Sequence, residues 1–291
     1  MEGVVINIDL KKLGLKKDSD WDHEPISDAH VGDPNCNYEK LEHVIERISS
    51  QKNRSTHLMG DNTANIRADD FRFNLDASGL QPVIKQVTYL RKMFEPIWNH
   101  NKDNVKCWGA QIGNHEYNGR AKMTEEQYKR EYCYEIGPKE GGMGLNYLGT
   151  LAYIWVNFFW GKKKDSLTEN KIRDYRILTA HGQYKGSQSG GELNQMKRFP
   201  AGHENFDVFF TGDSHDKKDD SSILQSAILV DGKIKLKKRK VFFISCGTFQ
   251  ETFMLGYTNY PEKSPYYARI SETGTKTVTF NPYLGKLYCH G

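Results

Sequence analysis

Five short stretches of this 291-residue chain carry side chains suited to holding metal ions or moving protons. They are "DAH" with Asp28 and His30, "GD" with Asp61, "GNHE" with Asn114 and His115, a separate His181, and "GDSH" with Asp213 and His215. Each is ordinary by itself. Asp-x-His and Gly-Asp occur in many turns, and Asn114 or His115 could cap a helix or satisfy a buried backbone group. What the five share is position, because each stands where an apolar, strand-like run gives way to a glycine-containing loop. Loops at the carboxyl ends of strands gather over one edge of an α/β sheet, so side chains far apart in sequence can converge there.

A convergent set of this composition can bind two divalent cations. One carboxylate shared between ions about 3.5–4 Å apart offsets their repulsion, and neutral imidazoles and an Asn carbonyl complete the shells without excess negative charge. The mixture of oxygen and nitrogen donors favours Mn²⁺, Fe or Zn²⁺ over Ca²⁺. The chemistry that uses two such ions is phosphate-ester hydrolysis, in which a solvent molecule held between them ionises near neutral pH and the metals offset charge developing on the phosphoryl group. The leaving oxygen then needs a proton. A histidine that neighbours a ligand without being one is suited to supply it.

The elements that must position these groups are legible in the periodicity. "NYEKLEHVIERI" places Leu41, Val44, Ile45 and Ile48 on one helical face. From Gln81, with Pro82 near the first helical position, Ile84, Val87, Leu90, Phe94 and Ile97 predict a second helix that Pro96 should distort or end. "TEEQ" at 124–127 is a capping box for a helix running to about Ile136. "STHLMGD" reads as a brief strand, "TLAYIWVNFFW" as a buried one, and "YRILTAHG", "FDVFFTGDSH" and "KVFFISCGT" as strands with polar or glycine-containing ends. Asp231-Gly232 between two β-prone runs predicts a hairpin, and "TKTVTF", after a loop around Pro261 and Pro265, a last strand. No repeat or interdomain linker interrupts the chain, so one mixed α/β domain over residues 1–291 is expected, with the motifs within 26–247.

Composition narrows the function classes. With 37% apolar and 12% aromatic residues the chain can bury a substantial core. No apolar run is long enough to cross a bilayer, and the acidic Glu2 followed by mixed sequence does not make a signal peptide. The 41 basic and 37 acidic residues nearly balance, so net charge does not announce a nucleic-acid partner. Two local basic runs, 162–164 and 233–240, read first as solvated loop or hairpin edge. Five cysteines without a CxxC pair exclude a zinc knuckle or thioredoxin-like motif and fit a reducing compartment, so the cytoplasm is expected.

The ordered set "DAH", "GD", "GNHE", an isolated His and "GDSH" resembles the calcineurin-like metallophosphoesterases, whose pattern is Asp-x-His, Gly-Asp, Gly-Asn-His-Asp/Glu, His and Gly-His-x-His. Bacteriophages also encode such proteins; for a phage-encoded member the expected cytoplasm would be the host's. The resemblance implies a two-sheet β sandwich flanked by helices. It also implies that Asp28, His30 and His215 hold a first metal, that Asp61 bridges both, and that Asn114 and His181 hold the second. His115 would stabilise the transition state or protonate the leaving group.

Three departures from the pattern matter. Asp213 takes the place of a second-metal imidazole; as a ligand it would add negative charge and lean toward harder ions, Mn²⁺ foremost, with Fe, Zn²⁺ or Mg²⁺ as alternatives. Asn65 stands where many members have an Asp or Asn in a supporting role. The strand before Asp28, "DHEPIS", is short and contains Pro25, with "VVINIDL" as a conceivable neighbour. Substrate choice is expected from loops starting near Arg67, Gly137 and Gly182, with Arg67, Tyr184 and Lys185 as contacts. The implied substrate is a nucleotide or nucleic-acid phosphodiester, DNA or RNA, aligned by the basic run 233–240. A small phosphomonoester and an inactive metal-containing binding or regulatory protein are the competing readings; oligomeric state is open.

Overall fold

A computed structural model describes residues 1–65, 83–101, 105–117, 123–133, 143–161, 168–182, 189–253, 270 and 272–291. Among them are two β-sheets laid face to face. The first sheet has the strand order β1-β5-β6-β7-β9-β8: β1 (Glu2–Asp9), β5 (Leu151–Phe159), β6 (Lys171–Ala180), β7 (Val208–Thr211), β9 (Lys233–Cys246) and β8 (Lys217–Val230). The second has the order β11-β10-β2-β3-β4: β11 (Lys286–His290), β10 (Thr277–Asn281), β2 (Trp21–His23), β3 (Arg54–Leu58) and β4 (Cys107–Ala110). β6, β7 and β9 run parallel, as do β2, β3 and β4.

Alternation along the strands decides which side chains meet between the sheets. Ala152, Ile154, Val156 and Phe158 of β5, Ile177 of β6 and Phe210 of β7 enter one core with Trp21, Trp108, Val278 and Phe280 from the second sheet. The rings interlock across the gap: Phe158 meets Trp21 edge-on at 6.0 Å between centroids, and Tyr175 meets Phe280 at 4.9 Å.

Helices cover the outer faces. α1 (Tyr38–Ser50) starts at Asn37, whose side chain accepts from Lys40 N, and buries Leu41, Val44, Ile45 and Ile48 against the second sheet, the face its periodicity predicts. α2 (Val83–Trp98) adds Leu90, Phe94 and Ile97 to that layer, and Pro96 lies within it two residues before its end. The Thr124–Gln127 capping box forms and opens α4 (Glu125–Tyr128), which continues as a wider π turn to Cys133; α3 (Asn114–Tyr117) is a single turn. On the far side, α5 (Ser189–Arg198) sets Met196 against Phe209 and Phe243 of the first sheet. The mixed α/β fold is therefore two multi-stranded sheets flanked by helices, the layout implied by the resemblance.

Two sequence expectations change. "VVINIDL" does not neighbour the first metal loop; it forms β1 in the other sheet, paired with β5. "TKTVTF" is not the last strand, because β11 follows it through a turn at Gly285. Pro25 is accommodated by parity. The amides of Asp22, Glu24, Ile26, Asp28 and His30 bond to successive carbonyls of β3 and its extension, so the even positions carry the parallel ladder. Pro25 falls between them, where an N–H is not required, and its carbonyl accepts from Thr275 Oγ1. Glu24, fully buried, is clamped by Arg47 of α1 and Arg54 of β3.

All five cysteines are free thiols, three of them buried, in keeping with small apolar residues. No helix among the described residues is long and apolar enough to cross a membrane.

Candidate metal centre

Both sheets end their parallel strands at the same edge, and every candidate ligand lies there. Asp28 and His30 follow β2, Asp61 follows β3, and Asn114 and His115 follow β4; His181 follows β6, and Asp213 and His215 follow β7. The chain leaves these strands abruptly. Asp28, His30, Asp61, Asp213 and His215 all adopt positive φ, between 47° and 63°, a region Asp, Asn and His enter more readily than other side-chain-bearing residues. Gly60 at φ 97° is needed for contact as well as conformation: a Cβ there would come within 2.6 Å of Gly113 Cα.

Three groups of ligand atoms form, each with its atoms within 4.8 Å of one another: Asp28, His30 and His215; Asp28, Asp61 and His181; and His30, Asp61 and His115. Within them, His215 Nε2 lies 3.3 Å from Asp28 Oδ1 and 3.3 Å from His30 Nε2. Asp61 Oδ1 accepts from the backbone N–H of His115 at 2.7 Å, which leaves Oδ2 to face His181 Nε2 at 3.3 Å and His115 Nε2 at 3.8 Å. Asp28 divides its oxygens similarly. Oδ2 accepts from Ser27 Oγ and from Asp213 N, whereas the buried Oδ1 has no hydrogen-bond partner.

The second half of the site contains Asn114. The end of its amide that faces the site is 2.8 Å from His181 Nε2, 3.0 Å from Asp61 Oδ2 and 3.0 Å from Asp213 Oδ1. With its oxygen inward, the Asn114 oxygen meets the Asp61 and Asp213 carboxylate oxygens beside His181, an arrangement a cation relieves. The donor types and the partnerless Asp28 Oδ1 fit divalent cations. Asp213 turns into the site, so its carboxylate is available to the half of the cage that contains Asn114 and His181.

Charge follows the same geometry. Burial raises the carboxyl of Asp28, but His181 and His215 outweigh it and hold the group at about 2; Asp61, also buried, is lowered further by His181, His115 and His30. Burial pushes Asp213 up to about 6, aided by Asp28 and Asp61. Burial lowers His30 well below the usual imidazole range, whereas in His181 and His215 the aspartates overcome burial and raise it. Supporting bonds orient the rings: Nδ1 of His181 is 2.8 Å from Met59 O, and Nδ1 of His115 is 2.8 Å from Ala64 O, so each turns Nε2 toward the site.

The motif spacing did not reveal what holds the loops together. Buried Glu116 accepts from the amides of Asp61, Asn62, Thr63 and Gly113, clamping the β3 loop to the β4 loop. Its place directly after Asn114 and His115 was the available signal. Asn65 does support the site, donating to His115 O at 3.1 Å. Behind the ligands a directed relay crosses the sandwich. Trp21 Nε1 donates to Ser55 Oγ, which is 2.9 Å from His23 Nδ1; His23 Nε2 is 2.8 Å from His57 Nδ1, and His57 Nε2 is 2.9 Å from Thr179 Oγ1, which donates to Gln111. Both histidines are fully buried and burial drives their pKa values down, His57 to about 3, so both are neutral. No Asp-x-His spacing marks this pair; the parallel pairing of β2 with β3 brings the two rings together, and the facing of the sheets sets His57 against Thr179 of β6.

The expected substrate contacts Arg67, Tyr184 and Lys185, and the basic run 162–164, lie outside the described residues. The run 233–240 is placed differently from expectation. β9 is parallel to β7 and ends at the site, so residue 240 is already about 20 Å back along the strand and the rest lies farther away. Those lysines do not line the metal-ligand edge.

No protein-family model and no curated protein matches the chain. Among solved structures, the anchor in the inner membrane complex of Plasmodium is similar over 93% of this chain and 88% of its own, with 9% identity and a TM-score of 0.41. A conserved uncharacterized protein from Streptococcus pneumoniae, described as a predicted phosphoesterase, is similar over 94% of this chain and 98% of its own, with 12% identity and a TM-score of 0.30.

Proposed function

We propose that the chain is a metal-dependent phosphoesterase with a dinuclear centre. The observation that carries this reading is the cage itself: aspartate, histidine and asparagine side chains from five strand ends converge, with the Asn114, Asp61 and Asp213 oxygens facing one another. Asp28, His30 and His215 would hold one divalent ion, Asn114, His181 and Asp213 the other, and Asp61 would share its Oδ2 between them. Such ions supply Lewis acidity toward phosphoryl oxygens and a water acidic enough to ionise near neutral pH. His115 is the proton donor to the leaving oxygen: it is accessible, unlike His30 and His181, and its Nε2 stands back at 3.8 Å from Asp61 Oδ2, whereas the equally accessible His215 closes to 3.3 Å on both Asp28 Oδ1 and His30 Nε2. Three carboxylates make the cage a hard one, which favours Mn²⁺ over Fe and Zn²⁺.

The preferred substrate is a phosphodiester of a nucleotide or nucleic acid. Two divalent ions against three aspartates leave about one positive charge, which matches a monoanionic diester better than a monoester carrying about −1.5 to −2 at pH 7. The test begins with chelator-stripped protein, followed by readdition of Mn²⁺, Fe, Zn²⁺ or Mg²⁺ and assay on aryl mono- and diesters, cyclic nucleotides, DNA and RNA. Mn²⁺ should bind at two per chain and restore turnover, diester above monoester, in the wild type but not in Asp61→Ala or His215→Ala. Turnover that survives in both variants overturns the dinuclear reading; a monoester preference supports the phosphomonoesterase alternative, and metal binding without turnover an inactive binding protein.

A further inference from the structure

The β8–β9 hairpin is longer than the sheet that holds it. β7 pairs with β9 only from Val208–Phe242 to Thr211–Ser245, yet the hairpin ladder continues to Val230–Lys233. Residues 223–238 therefore extend as a two-stranded ribbon from the sheet end opposite the metal centre, turning at Asp231-Gly232, where both residues have positive φ. Two strands alone are marginal in water and need a covered apolar face.

The two faces differ. On one, the aliphatics Leu224, Ile228 and Val230 alternate with the lysine and arginine positions 233, 235, 237 and 239 across the ladder, and Leu224 and Ile228 are 42% and 39% exposed. Lysine stems beside them account for that partial cover. On the other face, Ile223, Leu229, Ile234 and Leu236 are 64–76% exposed, and the pairs Ala227–Leu236 and Leu229–Ile234 stack toward the tip. The lysine-rich face is built for water; the aliphatic one is not.

We propose that this aliphatic face is the interface of a homodimer, formed with the same face of a second copy in antiparallel, ribbon-on-ribbon packing. A two-fold axis between the two aliphatic pairs lays Ala227–Leu236 of each copy on Leu229–Ile234 of the other, an isologous contact. The same axis sets the next pair down, Gln225–Lys238, against the partner ribbon's turn, so Lys238 meets an aspartate, the ribbon's sole acid Asp231, twice per dimer. Lysines 233, 235 and 237 point away from the contact. A polyanion would be met by the opposite face and would leave the aliphatic one uncovered.

Sedimentation velocity across a concentration series of the full chain tests this. The wild type should dimerise and Ile234→Glu should be monomeric; both positions changed in the next pair of variants are exposed too, so folding, checked by circular dichroism, is preserved. Asp231→Asn, which still enters the turn's positive φ, should weaken the dimer by about threefold, as should Lys238→Gln, and the double variant should be no weaker than either single one. A wild type that stays monomeric overturns the proposal, as does a dimer that Ile234→Glu leaves intact. So does a monomer that captures anionic vesicles or duplex DNA through this ribbon.

Discussion

At Asp213 the chain carries a carboxylate where the family pattern has an imidazole, and its oxygen stands 3.0 Å from the Asn114 amide at the centre of the cage. If that charge sets substrate preference, Asp213→His should raise monoester turnover relative to diester turnover by about tenfold, equivalent to ~1.4 kcal/mol of differential stabilisation. Parallel kcat/KM measurements on matched aryl esters check this, and an unchanged ratio removes Asp213 from the argument. His115 has its own test. His115→Asn should keep two metal ions per chain while kcat falls by about 10² or more. Metal loss instead would make it a ligand, which its place beside His30 and Asp61 allows geometrically.

Between elements, the interactions that matter are the Glu116 clamp and the histidine relay. Glu116→Gln cannot accept all four amides that join the β3 and β4 loops, so a loss of about 2 kcal/mol in denaturant unfolding is expected. Metal affinity should fall by about 10–100-fold as the loops lose register. The relay has a pH signature. His57 titrates at about 3 when folded, against an ordinary value of 6.5, so the unfolded chain binds more protons between those limits. Stability from keeping His57 neutral is fully present above pH 6.5 and is lost as pH falls toward 3. Urea unfolding at pH 7 and pH 5 should show a decline in the wild type that is shallower in His57→Gln; equal slopes would assign the acid sensitivity elsewhere.

On the scale of the whole molecule, the metal centre and the ribbon occupy opposite ends of the first sheet. Replacing residues 225–238 by a two-residue turn that joins the paired Leu224 and Arg239 should therefore leave metal stoichiometry and small-ester kcat/KM within about twofold of wild type, a margin below ~0.5 kcal/mol. A larger loss would couple the two ends. The fold explains the separation, since parallel β7 and β9 send their carboxyl ends to the candidate ligands and their amino ends the other way.

The amino-acid sequence by itself determined the types of element and the chemistry of the ligands. Leu41, Val44, Ile45 and Ile48 repeat with helical period, Thr124 and Gln127 cap locally, and Asp231-Gly232 turns locally, so none needs a distant partner to be read. The aspartates and histidines were legible because metal chemistry restricts donor types and glycine marks the tight exits from strands. Only the tertiary structure decided what depends on strand order and direction. That includes which oxygen of Asp61 faces His181 and His115, how Pro25 avoids the ladder, and the contact of His57 with Thr179 across the sandwich. It also moved the basic run from the substrate's side of the protein to the far end: a charge pattern has no address until the sheet fixes the direction of its strand.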